Sequence, residues 1–453
     1  MTGKDKGVSF TMRFPVPDKI LSALKMLTDA GYTACLVGGC VRDDLLGIPP
    51  HDYDITTSAV PAEIRRVFRD FRLVLDGEKH GTVSPVIDGE LVEITTFRAD
   101  GDYTDGRHPD TVTFSSRLED DLVRRDFTVN AMAWSPDRGL IDLFNGREDL
   151  QNGVLRAVGD PAARFTEDAL RILRGMRFAS RLGFAIEDET ARKMHDLSDR
   201  LSLISRERIF KELTGVLMGE HAMDILREFH DILFEAVPEL FPLYMCPQKS
   251  VYHIYDVFEH TLHVVDNISP RTALNVWSAL LHDCGKPETR TRDRKGFDHF
   301  PGHPQAGVRI AERVLRSLKA STSFIRDVMT LVRYHDEPLN GDTARLRLCQ
   351  VEPELFDSLA ALRRADILAH AERVLKDVKA VDAALQRRDR LISEGACISM
   401  RQLAVNGRDM EALGLTGPRI GETLEALLLS VVREETPNDR EALLSAARAL
   451  NDR

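Results

Sequence analysis

Residues 36–57, LVGGCVRDDLLGIPPHDYDITT, decide how the first part of this chain is interpreted. The run ACLV, which leads into Gly38 and Gly39, predicts a strand that ends in a glycine turn and passes into a helix. Paired glycines allow the backbone to approach a ligand closely, and a helix N-terminus presents N–H groups to phosphate. A Gly-Gly pair is equally typical of an ordinary tight turn, so the turn alone assigns no function.

Two carboxylates follow the turn. The segment HDYDIT predicts a strand, and because side chains two residues apart share a face, Asp52 and Asp54 should project together. Glu93, in the predicted strand LVEITTF, could supply a third carboxylate. Hard oxygen donors suit Mg²⁺, and a cation between them relieves their repulsion. An isolated D-x-D more often lies on a solvated edge, but the glycine turn and Val-Arg-Asp before it favour a metal site.

The bulk properties are those of an ordinary soluble protein of several domains. The chain has 453 residues and a formal net charge of −11, which argues against a general nucleic-acid binder but permits a local basic strip. The six cysteines show no zinc-type spacing and predict reduced thiols. We expect a cytoplasmic protein without a membrane partner, since neither a signal peptide nor a long apolar run is present.

Hydrophobic periodicity divides the chain into two parts. Up to about residue 158, short β-branched strands alternate with amphipathic helices, which predicts an α+β fold with a mixed β-sheet. From Asp160-Pro161 onward the strand signals end and helical periodicity continues to the C-terminus. The stretch 236–251, with three prolines, is the best candidate for a linker.

A carboxylate and a guanidinium occur three residues apart, at Asp168 and Arg171, in a predicted helix. The pair is typical of an exposed salt bridge, but it also matches the edge of a base. Cytosine and adenine each offer an amino donor beside a ring-nitrogen acceptor, whereas uracil and guanine present the inverse pattern and would leave polar groups mispaired. A basic strip surrounds this pair: Arg164, Arg171, Arg174, Arg177, Arg181, Arg206, Arg208 and Lys211.

These segments resemble the successive motifs of the class II tRNA nucleotidyltransferase and bacterial poly(A) polymerase family. The resemblance runs through residues 36–57, RRDFTVNAM at 124–132, DLFNGREDL at 142–150 and RFTEDALRILR at 164–174. It implies template-independent addition of C-C-A to tRNA from CTP and ATP, with release of pyrophosphate. A polar segment between Thr96 and Asp120 matches a loop that is shortened in CC-only members, and its presence favours complete C-C-A addition.

The resemblance also implies residue roles. Asp52 and Asp54 hold catalytic Mg²⁺ with Glu93 assisting. The nucleotide-binding residues include one group for the triphosphate, one for sugar and phosphate, and a pair for the base: Gly38, Gly39 and Arg42; Arg124, Arg125, Asp126 and Asn130; and Asp168 with Arg171. Arg174 is a further nucleotide-binding residue.

Eight of the fourteen histidines fall between residues 253 and 370. The order of His260, His282-Asp283 and Asp366 resembles the HD superfamily of metal-dependent phosphohydrolases, which implies that these four residues bind Mn²⁺, Ni²⁺, Co²⁺ or Mg²⁺. His303 and His335 match positions that belong to the wider pocket or to a second metal in some members. Such a domain can also persist as a scaffold without activity.

The predicted organisation is therefore a nucleotidyltransferase head at 18–158, a helical neck and body at 159–245, an HD domain at 246–380 and a helical tail at 381–453. Three alternatives remain open: an enzyme that adds only A, a poly(A) polymerase, and an HD phosphodiesterase or phosphatase whose head binds RNA. The C-terminus is not basic, which favours tRNA over poly(A) synthesis. No DNA partner is expected.

Overall fold

The computed structural model describes residues 12–100, 112–339, 351 and 353–451. They form two compact units. The first unit contains the described residues up to His221 together with Phe229–Ala236, and the second contains Ala222–Glu228 and the chain from Val237 onward. The four-domain division of the sequence remains a prediction.

Most strands of the described chain lie in its first third. They are β1 Ala34–Val37, β2 Asp54–Thr57, β3 Arg72–Val74, β4 Thr82–Ile87, β5 Glu90–Leu91, β6 Ile94–Thr96, β7 Arg98–Asp100, β8 Val112–Phe114, β9 Met132–Ser135, β10 Gly139–Asp142, β11 Val154–Leu155, β12 Ala185–Ile186, β13 Thr291–Arg292 and β14 Asp298–His299.

One mixed sheet organises the first unit. Its strand order is β10-β9-β1-β2-β6-β4-β3, with β5 paired to β4. The pair β2–β6 is parallel, and the other pairs of this sheet are antiparallel. Every residue of β1 is buried, so this strand carries a continuous apolar run. The mixed sheet confirms the predicted α+β class.

Helices make up the rest of the regular structure. They are α1 Asp18–Asp29, α2 Gly39–Leu46, α3 Pro61–Val67, α4 Leu118–Val123, α5 Gly146–Asn152, α6 Pro161–Glu167, α7 Leu170–Leu182, α8 Asp188–Asp196, α9 Arg206–Leu217, α10 Ala222–Glu228, α11 His230–Ala236, α12 Val257–Asn267, α13 Ala273–Leu281, α14 Lys286–Thr289, α15 His303–Ser317, α16 Thr322–Tyr334, α17 Pro353–Leu368, α18 Val378–Ser393, α19 Gly407–Ala412, α20 Pro418–Val432 and α21 Arg440–Asn451.

The core of the first unit lies against one face of β1. Cys35 and Val37 of this strand pack with Phe97, with Ala133 of β9 and with α4, which contributes Leu118 and Leu122.

Side-chain caps begin several helices of the second unit, where the sequence places Asp, Thr or Ser before an apolar run. Asp256 Oδ1 accepts a hydrogen bond from the Glu259 N–H at the start of α12 (2.8 Å). Ser321 Oγ accepts one from the Phe324 N–H at the start of α16 (3.3 Å). These caps fix the start of α12, which carries His260, and of α16, which ends just before His335.

Several sequence-based boundaries require correction. Strand β2 begins at Asp54 rather than His51, and the predicted strand LVEITTF is split into β5 and β6. Two-residue strands also occur after Asp160, where we expected helices alone. Residues 101–111 of the loop between Thr96 and Asp120 lie outside the described residues. No helix in the described part of the chain combines the length and apolar character that a bilayer crossing requires.

Candidate active sites

The glycine turn joins β1 to α2. Gly38 has a φ of +78°, a backbone conformation that favours glycine, and its N–H donates to the Met132 carbonyl (3.2 Å). A Cβ atom at Gly38 would lie 3.2 Å from Arg125 Nη1, tighter than an ordinary contact. Glycine at this position therefore allows the Arg125 guanidinium to lie against the turn.

Strand pairing brings the acidic residues to the same place. Asp54 is the register partner of Val37, the last residue before the glycine turn. Ile55 pairs in parallel with Ile94, and the Ile55 N–H donates to the Glu93 carbonyl (3.0 Å). Asp54 and Glu93 are thus adjacent across the two strands, and both are exposed, as is Asp52 just before β2. Strand pairing therefore places Glu93 next to Asp54 along the backbone, and Asp52 is near enough for its charge to act on the Asp54 carboxylate.

The charges around Asp54 oppose one another. Desolvation raises its pKa, the Arg125 guanidinium acts to lower it, and the Asp52 carboxylate raises it further. Asp121 fixes the position of Arg125: it is fully buried and accepts a hydrogen bond from Arg125 Nη2 (3.1 Å). Asp121 also pairs with Arg124 (2.6 Å), and together the two arginines keep its pKa low against the effect of burial.

A chain of hydrogen bonds links the glycine turn to α7. Arg42 Nη1 donates to Asn130 Oδ1 (2.7 Å), and Asn130 Nδ2 donates to Asp126 Oδ1 (3.1 Å). Arg174 closes the chain by donating through Nε and Nη2 to Asp126 Oδ2 (2.8 and 2.6 Å). Although burial acts to raise it, the pKa of Asp126 falls to about 2 because of Arg174 and Asn130. Four predicted nucleotide-binding residues therefore form one connected set.

The expectation that Asp168 and Arg171 share one helical face is wrong. Asp168 has an extended backbone (φ −142°, ψ 102°) between α6 and α7, and its carboxylate accepts from the Leu170 N–H (3.0 Å). The other carboxylate oxygen pairs with Arg208 of α9 (2.9 Å). Aspartate favours such helix-initiating positions over helix interiors, and that preference breaks the predicted helix.

Arg171 has its own anchors. It is buried, and its guanidinium donates to Glu167 Oε2 (2.6 Å), to the Arg164 carbonyl (3.0 Å) and to the Arg124 carbonyl (2.8 Å). Asp168 and Arg171 therefore flank the start of α7, each fixed by separate partners, and Arg171 is tied to the residue next to Arg125.

A second cluster of titratable side chains lies in the second unit, around Asp283 at the end of α13. Asp283 Oδ2 is 3.1 Å from His282 Nε2 and 3.6 Å from His260 Nε2. Asp283 Oδ1 is 3.5 Å from the Nε2 atoms of His303 and His335. All five residues are buried, so one carboxylate lies at the centre of four imidazoles.

Asp366 completes the cluster from α17. Its Oδ1 is 3.1 Å from His260 Nε2 and 3.4 Å from His370 Nδ1, while Arg363 donates to Oδ2 (2.9 Å). The residues divide into three overlapping sets with ligand atoms close enough to hold a metal ion: His260, His282 and Asp283; His260, Asp366 and His370; and Asp283, His303 and His335.

Backbone carbonyls fix the orientation of several of these imidazoles. The Nδ1 atoms of His282, His303 and His335 donate to the carbonyls of Ala279 (2.7 Å), Phe300 (3.0 Å) and Val332 (2.8 Å). A carbonyl can only accept, so Nδ1 carries a proton in each of the three rings, and Nε2 is the nitrogen that faces Asp283. Metal-binding histidines have this arrangement, in which the second nitrogen donates to an outer partner.

A cavity of about 210 Å³ opens beside the cluster and is lined by Lys286 and Phe300 as well as by the imidazoles and carboxylates. Lys286 is buried, and its Nζ contacts Asp283 Oδ2 (2.6 Å), Gln248 Oε1 (2.8 Å) and His253 Nε2 (3.4 Å). Burial, followed by the Lys286 charge, lowers the pKa of His253 to about 2. The cavity therefore holds the Lys286 ammonium in a fixed position beside His253, whose imidazole stays neutral.

Known proteins resemble the chain along nearly all of its length. Residues 34–156 match the family described as the poly A polymerase head domain, residues 183–242 a probable RNA and SrmB-binding site of polymerase A, and residues 306–447 a putative tRNA nucleotidyltransferase domain 2. The CCA-adding enzyme of Pediococcus pentosaceus is 34% identical over 95% of this chain and 97% of its own length. That of Lactiplantibacillus plantarum is 33% identical over 95% of both. The chain belongs to the CCA-adding enzyme family.

Solved structures agree with this assignment. The Bacillus stearothermophilus CCA-adding enzyme in complex with CTP has a TM-score of 0.72 and 29% identity, and covers 96% of this chain and 97% of its own. The Thermotoga maritima CCA-adding enzyme complexed with tRNA shares the fold, with a TM-score of 0.56 and 21% identity over 96% of each chain. Family membership confirms the resemblance found in the sequence and the assignment as a nucleotidyltransferase.

In this CCA-adding enzyme family member, the structure adds residues that sequence reasoning missed. Asp121 and Phe178 each combine arginine partners that are close in sequence with one distant partner, Thr56 for Asp121 and Arg42 for Phe178, and spacing cannot reveal the distant one. His253 and His370 could have been included from the local enrichment in histidine. Lys286 follows the His-Asp pair by three residues, a spacing that places it on the same side of a helical turn.

Proposed function

We propose that this chain is a template-independent nucleotidyltransferase that adds or repairs the 3′-terminal C-C-A of tRNA, using CTP and ATP and releasing pyrophosphate. The observation that carries the proposal is the alignment of Asp54 with Glu93 beside the Gly38 turn, with Asp52 next to them, in a member of this family. We place the activity in the cytoplasm, with tRNA as partner and without a DNA or membrane partner.

The carboxylates suit a hard divalent cation. Asp52, Asp54 and Glu93 offer solvent-exposed oxygen ligands. Desolvation and the Asp52 charge raise the pKa of Asp54, and a bound cation would offset the repulsion between the two carboxylates. We assign Mg²⁺ to Asp52 and Asp54, with Glu93 assisting. Bound Mg²⁺ supplies Lewis acidity that favours ionisation of the RNA 3′-hydroxyl and neutralises charge on the triphosphate.

Guanidiniums and the glycine turn hold the nucleotide. The backbone of Gly38 and Gly39 and the side chain of Arg42 contact the triphosphate. Arg125 lies against Gly38 and balances the negative charge of Asp54. Asp126 and Asn130, which are hydrogen-bonded to each other, orient the sugar. Because these groups are fixed before the nucleotide arrives, little reorganisation is needed when the phosphorus–oxygen bond to pyrophosphate breaks.

Base selection falls to the start of α7. Asp168 accepts from the exocyclic amino group of cytosine or adenine, and Arg171 donates to the ring nitrogen beside it. Arg174, linked to Asp126, holds the sugar side of the same nucleotide. UTP and GTP present a carbonyl beside an N–H and would leave Asp168 and Arg171 mispaired, which rejects them.

The decisive experiment uses purified full chain, Mg²⁺ and labelled tRNAs that end before the first C, after C-C, or complete. Two cytidines and one adenosine followed by arrest establish the proposal. Addition of A only to the C-C substrate makes this an A-adding enzyme, and long A tails make it a poly(A) polymerase. Asp54→Asn should abolish incorporation, whereas Asp70→Asn, at an exposed carboxylate elsewhere in the first unit, should not.

A specific observation favours a second activity, a metal-dependent phosphohydrolase in the second unit. Buried imidazoles whose Nε2 atoms converge on Asp283, with Asp366 beside them, suit Mn²⁺, Ni²⁺ or Co²⁺. His260, His282, Asp283 and Asp366 would hold the ion, and a bound ion would lower the pKa of a water for attack on a phosphate ester. Lys286, fixed in the cavity, would bind the phosphate oxygens.

This second activity is tested with a 2′,3′-cyclic nucleotide and with nucleoside monophosphates after loading with each metal. His282→Ala should abolish hydrolysis, and His299→Ala, at an exposed histidine of β14, should not. Hydrolysis that survives Asp54→Asn shows that the two sites act separately. No hydrolysis with any of these metals would leave the second unit as a scaffold.

A further inference from the structure

Three guanidiniums meet on one aromatic ring in the first unit. The guanidinium carbons of Arg177, Arg42 and Arg174 lie 4.8, 5.2 and 5.4 Å from the centroid of the Phe178 ring. Phe178 is on α7 and is 8% exposed, and Phe127 packs edge-on against it with centroids 6.0 Å apart. A shielded aromatic face attracts cations through its quadrupole, and the attraction is larger where water is removed.

Two of these guanidiniums are also the ends of the hydrogen-bond chain that runs through Asn130 and Asp126. Arg42 donates to Asn130, Asn130 to Asp126, and Arg174 to Asp126. Phe178 contacts both ends, so it closes the chain into a ring of interactions. This closed set of contacts joins the glycine turn, which follows β1, to helix α7.

Each arginine of this cluster also has a carboxylate of its own. Arg42 pairs with Asp43 (2.7 Å), and Arg177 pairs with the buried Glu212 (2.8 Å). These carboxylates lie on different elements, α2 and α9, whereas the Phe178 ring is a contact that the guanidiniums have in common. Removing the ring would leave Arg42 and Arg174 joined only through the flexible route of Asn130 and Asp126, without the direct contact that the cations share.

We infer that Phe178 is a positioning residue for the nucleoside triphosphate: it sets the spacing between Arg42 and Arg174 and so couples the triphosphate contact to the base-reading start of α7. The inference rests on the proposed nucleotidyltransferase function of this site. The carboxylates Asp52 and Asp54 take no part in the ring of interactions. Loss of Phe178 should therefore weaken nucleotide binding far more than it slows the chemical step.

The test compares Phe178→Leu with Phe68→Leu in the full chain. Phe68 is a matched control, because it is buried in the same unit and also has an edge-on neighbour, Phe71, at 6.0 Å, yet no guanidinium lies over its ring within the described residues. Equilibrium binding of CTP and ATP with Mg²⁺ and without tRNA is measured first. The KM and kcat for incorporation into tRNA ending in C-C are measured next.

Phe178→Leu should raise the Kd and KM for both nucleotides by about 10-fold, the scale of one or two partly desolvated cation–π contacts, with kcat within about 3-fold of wild type. Phe178→Tyr keeps the ring and should restore binding. Melting temperatures of the two leucine variants should fall alike. If Phe178→Leu does not fold, Phe178→Met keeps volume without the π face and takes its place.

These measurements distinguish failure of the Phe178 inference from failure of the proposed function. Nucleotide binding that is unchanged in Phe178→Leu, or equally weakened in Phe68→Leu, overturns the inference. A fall in kcat with unchanged KM also overturns it, since that pattern indicates general loosening. If wild type binds CTP but transfers nothing, the proposed function fails while the Phe178 comparison still decides the inference by binding. If wild type binds neither nucleotide, both fail.

Discussion

Glu93 lies directly beside Asp54, because the parallel pairing of β2 with β6 aligns Ile55 with Ile94 and the Ile55 N–H donates to the Glu93 carbonyl. Adjacent residues on paired strands lie roughly 5 Å apart and point to the same face. Glu93 itself lies in the two-residue connection between β5 and β6, and the hydrogen bond that its carbonyl accepts from Ile55 fixes its backbone beside Asp54.

Glu93→Gln should lower kcat by roughly 10- to 100-fold and raise the Mg²⁺ concentration needed for half-maximal activity, the scale of losses seen when a supporting group at a metal site is removed. Glutamine keeps the shape and removes the charge. Glu90→Gln is the matched control, since Glu90 lies on β5 of the same stretch and pairs with Lys19. A magnesium titration of incorporation rates measures both variants. Unchanged magnesium dependence in Glu93→Gln would remove it from the site.

Asp126 should stabilise the fold in a pH-dependent manner. Its pKa is lowered from 3.8 to about 2 in the folded chain, so its contribution is complete above about pH 4 and is lost as the pH falls toward 2. Asp126→Asn should therefore cost on the order of 2 kcal/mol of unfolding free energy at pH 7 and much less near pH 2.5. Urea unfolding across this range measures the difference. A gap between wild type and variant that does not narrow in acid would contradict this assignment.

Arg208 should support base selection through Asp168. Its Nη2 donates to Asp168 Oδ2 (2.9 Å), and this contact holds the Asp168 carboxylate together with the Leu170 N–H. Arg208→Ala should lower kcat/KM for CTP and ATP by about 10- to 100-fold, the scale of one charged hydrogen bond. The fraction of UTP misincorporated should rise as Asp168 becomes free to turn. Arg192→Ala, at an exposed arginine of α8, serves as control. Equal effects of both variants would refute the pairing as the cause.

Local patterns predicted much of this molecule, and long-range contacts account for the rest. Alternating and helical periodicity located β1, α1 and α3, because these elements are set by burial of one face. The Asp52/Asp54 pair and the His-Asp pair are weak signals alone and gained meaning from the motifs around them, and strand pairing and helix packing bring predicted partners close to each. The metal identities and residue roles remain predictions.

What could not be predicted depends on partners far apart in sequence. Arg174 reaches Asp126 across 48 residues, and Thr56 reaches Asp121 across 65. Spacing also misjudged Asp168, whose extended backbone ends α6 and separates it from Arg171. A three-residue separation predicts a shared face only while the helix continues, and aspartate is a residue that commonly starts a new one.

Metal binding should stabilise the second unit. A ligand that binds only the folded state at 100 times its Kd contributes about 2.7 kcal/mol, which corresponds to a rise in melting temperature of roughly 5–10 °C for a unit of this size. Trp277 is fully buried on α13, five residues before His282, and reports on this unit once the other tryptophan is replaced in a Trp134→Phe background. Chelation should lower the melting temperature, and Mn²⁺, Ni²⁺ or Co²⁺ should restore it. In His282→Ala the metals should have no effect, whereas His299→Ala should respond like wild type. A melting temperature that is indifferent to chelator and to all three metals would show that the buried imidazoles hold no ion.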